Sequence, residues 1–163
     1  MSDRRLKIGL DYHGVIDQRP AYFAGFCSLA RAHGHSIYII SGGPISLLKE
    51  YLRKNNIEYD FVFAVSDYYQ ALGDVRQDKN GNLFVPESLW NKAKAEFCRR
   101  AQIDFHIDDS QSYLKWFSTP FCLYDKKENC CLFGKTKISF ALPAKNVLSK
   151  IEALAFEQKK SGK

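Results

Sequence analysis

The chain contains no apolar run approaching the roughly 18 residues of a membrane-spanning helix, so no membrane partner is expected. It has no CxxC pair and no His/Cys spacing that suits structural zinc. Its N-terminus, MSDRRLKIGL, goes from charge directly into a strand-like run with no secretory h-region, so a soluble, cytoplasmic protein is the expectation. The five cysteines are odd in number and include the adjacent pair Cys130 and Cys131; free thiols in a reducing compartment are the simplest account. No internal repeat, linker or low-complexity segment appears. With 163 residues, the expectation is a single domain over 1–163, long enough to bury a core without staples.

What is present is ordinary in bulk: 45% hydrophobic, 26% charged and 14% aromatic residues. The formal charge is +6, a sign that suits nucleic acid or a phosphorylated substrate. Many of the basic residues are scattered, however. Lys159, Lys160 and Lys163 fall in a tail, 159–163, that reads as frayed and solvated.

Strand and helix alternate along the chain. Short apolar or β-branched runs at 6–10, 36–40, 61–65, 104–107 and 121–124 read as strands. Helical spacing appears at 21–32, closing near Gly34, and at 45–55, 87–101 and 144–158. Regularity lapses over 66–86, where DVRQDKNGNLFVP carries Asn80-Gly81 as a hairpin turn signal. This order predicts an α/β protein, a Rossmann-like three-layer sandwich around a parallel sheet with a small hairpin insertion.

In such sheets function collects at the carboxyl ends of the strands. Three polar groups directly follow apolar strands: Asp11 with His13 in IGLDYHGVID, Ser41 with Gly42, and Asp108 with Asp109. Carboxylates converging from separate strands form a hard-oxygen cage suited to Mg²⁺, which pairs readily with substrate phosphate. Asp11 could be a ligand or a nucleophile, since carboxylates form covalent phosphoaspartates. Ser41 followed by glycines offers a hydroxyl and open N–H groups at a helix start, a phosphate seat; the lesser alternative is that it only caps that helix. A lysine from a following helix would neutralise developing charge.

These residues resemble the haloacid dehalogenase-like superfamily, whose four motifs occur in the order seen here, over about residues 6–125. The pairing of DYHGVID with HIDDS is also similar to a microbial and phage subgroup of it. The resemblance implies a sheet ordered 3-2-1-4-5 and Mg²⁺-dependent hydrolysis of phosphomonoesters through an aspartyl-phosphate. It implies Asp11 as nucleophile and Ser41 as phosphoryl-binding hydroxyl. It further implies Lys94 as the third-motif lysine, with Lys92 the runner-up, and Asp108 and Asp109 as metal ligands. His13 stands where the family usually has an aspartate acting as acid and base, whose backbone carbonyl also binds the metal. Histidine can do both proton transfers, but Mg²⁺ beside it favours the neutral form, a poor acid, so the expectation is either a slow phosphatase or one whose leaving group needs little protonation.

The stretch between the first two motifs is too short for a large cap, which leaves 66–86 as the one small candidate lid. An open site would take a phosphorylated small molecule, a nucleotide or a nucleic-acid end. A non-catalytic metal- and phosphate-binding protein is the alternative. His13 fits a turn residue as well as an acid/base role. His106 reads as a core histidine, Asp17 as a loop aspartate, and Asp67 as a third-strand residue that could face the cleft. Trp90, Phe97, Trp116 and Phe117 read as core, and Cys27 and Cys98 as buried helix thiols.

Overall fold

The computed structural model describes residues 5–73 and 76–162. Asp74 and Val75 of the irregular stretch, Lys163 of the tail and the first four residues lie outside the described residues. The elements run β1 (Lys7–Leu10), a 3₁₀ turn (Ile16–Gln18), α1 (Pro20–Ala32), β2 (Ser36–Ser41), α2 (Ile45–Lys54), β3 (Phe61–Ala64) and α3 (Val65–Leu72). There follow β4 (Arg76–Gln77), β5 (Leu83–Phe84), α4 (Glu87–Ala101), β6 (Phe105–Asp108) and α5 (Gln111–Leu114). The chain ends with β7 (Phe121–Asp125), β8 (Cys130–Phe133), β9 (Thr136–Ser139) and α6 (Ala144–Ser161).

The architecture is α/β and Rossmann-like, but the sheet departs from the expected five-stranded order. It has seven strands, ordered β3-β2-β1-β6-β7-β8-β9. The parallel members β1, β2, β3, β6 and β7 are the five apolar runs read from the sequence. Strands β8 and β9 extend that sheet antiparallel beyond β7. They went unread because each is short and half solvated, interleaved with Lys126, Lys127, Lys135 and Lys137.

Period-2 alternation sets the two faces. Ile8 and Leu10 of β1 stand opposite Phe105 and Ile107 of β6, and all four join Phe23 and Phe26 of α1 and Ile151 of α6 in the larger core. Gly9 and His106 face the other way, where α4 contributes Ala93 and Cys98 to a second, smaller cluster with Ile40 and Phe63. Asp11 and Asp108 continue that second face, so both carboxylates emerge beneath α4.

Several expectations are corrected. Cys122 and Cys131 form a disulfide, because adjacent strands β7 and β8 bring their Cα atoms to 5.5 Å; Cys27, Cys98 and Cys130 are free and buried. The supposed frayed tail is helical through Ser161, and Lys159 Nζ sits 2.8 Å from Asp104. The irregular 66–86 stretch begins as helix α3. Its hairpin loop spans 78–82 instead of a two-residue turn, because the Asp78 carboxylate accepts from the backbone N–H of both Asn80 and Asn82, at 2.8 Å each. Trp116 is 37% exposed between Lys92 and Lys115 rather than core. No helix among the described residues is long and apolar enough to cross a membrane.

The contact between β1 and β6 leaves no room at Gly9. A Cβ there would meet His106 Nδ1 at 2.6 Å and Ile40 Cδ1 at 2.9 Å, both on buried side chains that cannot swing away. Gly9→Ala is therefore expected to destabilise by about 2 kcal/mol or more, the scale of overpacking in a tight core, measured by urea unfolding.

Candidate active site

Lys94 is the centre of the arrangement. It projects from the buried face of α4 and is only 3% exposed. Its Nζ donates to Asp11 Oδ1 at 2.9 Å and to Asp108 Oδ2 at 2.8 Å, and lies 4.7 Å from the centroid of the Tyr113 ring. Lys92, the other candidate lysine, instead lies against the ring of Trp116. The difference is helical phase: Ala93, Lys94, Ala95 and Cys98 are the residues of α4 that turn inward.

Asp11 directly follows β1, and its N–H donates to Ile107 O across the β6 pairing. Its Oδ1 accepts from the Tyr12 N–H as well as from Lys94, while Oδ2 has no hydrogen-bond donor among the described residues. Asp108 is fully buried and takes three donors, Lys94 and His106 Nε2 (3.2 Å) on Oδ2 and the Ser110 N–H on Oδ1, which leaves acceptor capacity on Oδ1. Asp109 is half-buried and packs on Gly14, whose φ of +83° and missing side chain admit the carboxylate; any Cβ there would overlap it. One ligand oxygen from each of Asp11, Asp108 and Asp109 falls within 4.8 Å of the others.

The electrostatics follow from three carboxylates meeting one ammonium. Burial pushes the Asp11 carboxyl up to about 7, with the Asp108 charge adding to it and Lys94 opposing it. Burial would also raise Asp108, but Lys94 and the His106 hydrogen bond outweigh it and hold the carboxyl down to about 2. Asp109 is raised by burial and by Asp108. Burial alone would strip the Lys94 proton; the two carboxylates keep it in place. Burial lowers His106, so its ring is the neutral donor to Asp108, stacked parallel on Phe117 at 5.1 Å.

The remaining predicted residues lie at the edges. His13 is 74% exposed, with Nδ1 3.1 Å from Asp17 Oδ2. The Asp17 Oδ1 accepts from the Gly14 N–H at 2.8 Å. Ser41 ends β2 on the face of Ile37 and Ile39, by alternation the face opposite Asp11, and its buried Oγ has no hydrogen-bond partner. It does not cap α2, whose N-cap is Pro44; Gly42 and Gly43 border the cleft in its place. Asp67 turns to the Ile45 N–H at the start of α2 and away from the cleft. The cleft above this floor has a volume of about 880 Å³, and the hairpin contributes Gln77, Asn82 and Leu83 to its wall.

Sequence reasoning read His106 correctly as core but missed its support of Asp108, and it set Asp17 in a loop and Trp90 in the core, whereas both line the cleft. The i, i+2 spacing of His106 and Asp108 in one strand was the available signal for the first, and the i, i+4 spacing of His13 and Asp17 for the second. Nothing in the spacing of Trp90 separates a core position from a cleft wall.

The donor set of Asp11, Asp108 and Asp109, all oxygen and with more negative charge than Lys94 cancels, fits a hard divalent cation. A second cluster, His33, His35 and Glu152, does not. The Leu6 N–H donates to His35 Nδ1, so Nε2 carries the ring proton and gives it to Glu152 at 2.7 Å, leaving no lone pair for a metal.

No family model matches the sequence, and no curated protein matches it. Among solved structures the chain is similar to a glycosyltransferase from Rickettsia africae ESF-5, with a TM-score of 0.44 and 19% identity over 75% of this chain. It spans 30% of that protein's length.

A pH dependence follows for the metal-free protein. Asp11 keeps a proton in the folded state that the unfolded chain releases near pH 3.8, so stability falls as pH rises from there to about 7. Asp108 contributes the opposite limb: stability present above its ordinary value and lost as pH falls toward about 2. Asp11→Asn should flatten the upper limb, read by thermal unfolding across pH in a chelator.

Proposed function

We propose that the chain is a haloacid dehalogenase-like, Mg²⁺-dependent phosphatase that hydrolyses phosphomonoesters through an aspartyl-phosphate on Asp11. The observation that carries this reading is the convergence of Asp11, Asp108 and Asp109 with Lys94 at the carboxyl ends of β1 and β6. Asp11, Asp108, Asp109 and the His13 backbone carbonyl would hold Mg²⁺, which when bound supplies charge neutralisation for the phosphoryl oxygens.

Asp11 Oδ2, the oxygen free of protein donors, attacks phosphorus as the bond to the ester oxygen breaks. The phosphoryl oxygens meet the backbone N–H groups of Gly42 and Gly43 in the turn before α2, while the Ser41 hydroxyl, buried on the other face of the sheet, stays out of contact with them. Lys94 offsets charge on Asp11 throughout. His13 gives the leaving oxygen a proton from Nε2, while Asp17 on Nδ1 orients the ring. It then takes a proton from the water that cleaves the aspartyl-phosphate, which releases phosphate and restores Asp11.

A non-catalytic metal- and phosphate-binding protein is the competing reading. It is favoured by one observation: no carboxylate stands at the position of His13, and that ring is mostly solvated. A nucleic-acid-end phosphatase is less well supported. The cleft is lined by Asp11, Asp17 and Asp109 against Lys94 and Lys126, so the net positive charge of the chain is not focused there.

Turnover of an aryl phosphate with Mg²⁺ tests the reading. Asp11→Asn should lower kcat by at least ~10³-fold, as loss of a nucleophile does, and His13→Ala by about 10²-fold, as loss of a general acid–base does. A wild-type rate no higher than that of Asp11→Asn overturns hydrolysis and leaves the binding reading. Mg²⁺ should also raise the melting temperature of the wild type by mass action, and that of Asp109→Asn far less.

A further inference from the structure

The floor of the cleft is charged and its far wall is not. That wall is built from Gln70 of α3, Gln77 and Asn82 of the hairpin, and Trp90 of α4. Neither glutamine side chain has a hydrogen-bond partner among the described residues, so each offers a donor and an acceptor to the cleft. Asn82 is oriented from behind: Asp78 takes its backbone N–H and its Nδ2, both at 2.8 Å, leaving Oδ1 as a free acceptor. The indole of Trp90 stands against the turn between β2 and α2, where a Cβ on Gly42 would lie 3.2 Å from its Cζ2. Stacking surface and phosphoryl seat are therefore neighbours. Beyond Lys94, which its carboxylates already neutralise, the cleft has a single further lysine, Lys126.

A volume of about 880 Å³ exceeds what a phosphoryl group alone would fill. The rest of the substrate must be uncharged, able to stack on an indole, and edged with both donors and acceptors. A nucleobase meets all three conditions, and Asn and Gln amides are the side chains that pair with base edges. One free lysine suits one phosphate; a polyphosphate or a nucleic-acid strand would require a basic track. A simple sugar phosphate would use the amides but leave the indole uncovered.

We propose that the cleft takes a nucleoside monophosphate, with its base stacked on Trp90 and its edge read by Gln70, Gln77 and Asn82, and its phosphate over Asp11. This rests on the phosphatase reading of the floor, and the two are separable by experiment. The test compares the four common ribonucleoside monophosphates with ribose 5-phosphate, as substrates of the wild type and as ligands of the Asp11→Asn protein by calorimetry with Mg²⁺.

At least one nucleotide should exceed ribose 5-phosphate in kcat/KM by about 30-fold, the discrimination that one base stack with paired edge contacts supplies. Trp90→Ala should reduce that ratio about tenfold, as removal of a stacking ring does. Gln77→Ala, on an exposed strand residue whose replacement leaves the fold intact, should also reduce it. A ratio near unity for all four nucleotides, or a ratio that neither variant changes, overturns the proposal. If the wild type turns over none of the five compounds, the phosphatase reading fails by itself, and binding to Asp11→Asn decides the rest. A nucleotide held about tenfold tighter than ribose 5-phosphate, on the same stacking scale, upholds base recognition; equal or absent binding ends it.

Discussion

One buried ammonium organises this molecule. Lys94 ties α4 to the ends of β1 and β6 by bonding Asp11 and Asp108 at once, with all three side chains buried. A charge taken out of water is stable only when its partners are in place, and removing one partner leaves the others unpaired at a cost of about 3–5 kcal/mol. The fold and the candidate site therefore share one set of interactions. The balance is also incomplete, since Asp109 adds a third carboxylate that has no close ion pair of its own among the described residues. That residual negative charge makes the site receptive to a divalent cation.

Beneath the lysine the packing is unforgiving. His106 donates to Asp108, stacks on Phe117 and lies against Gly9, so the carboxylate is held by a layer that is itself core. The upper part of the cleft is built differently. His13 and the hairpin residues Gln77 and Asn82 are solvent-exposed, and short local hydrogen bonds to the Asp17 and Asp78 carboxylates position His13 and Asn82. A rigid, preorganised floor with an exposed polar rim suits chemistry below and recognition above.

The sequence was legible where a residue's neighbours are set by local period. Alternation and apolar runs located the five parallel strands, and strand-end polarity singled out Asp11 and the Asp108-Asp109 pair. Helical spacing located α1, α2, α4 and the start of α6. It was less legible where several weak preferences compete. Helix α3, with Tyr68 and Tyr69 in a region of turn residues, carried no clear helical stripe, and β8 and β9 were too short and too charged to stand out. Ser41 was read correctly as a strand end, yet the side of the sheet it takes depends on register with β1, which no local pattern reveals.

The amino-acid sequence by itself determined the α/β class, the parallel core and the carboxylates at the strand ends. Each of these follows from short-range periodicity and from the rule that buried strands deliver polar residues at their carboxyl ends. Only the tertiary structure decided that Lys94 and not Lys92 reaches those carboxylates, that His106 supports Asp108, that Cys122 bonds Cys131, and that hairpin amides and Trp90 wall the cleft. These are contacts between segments distant in sequence or one helical step apart. They depend on how α4 is rotated over the sheet and on which strands become neighbours, and packing of the whole chain sets both.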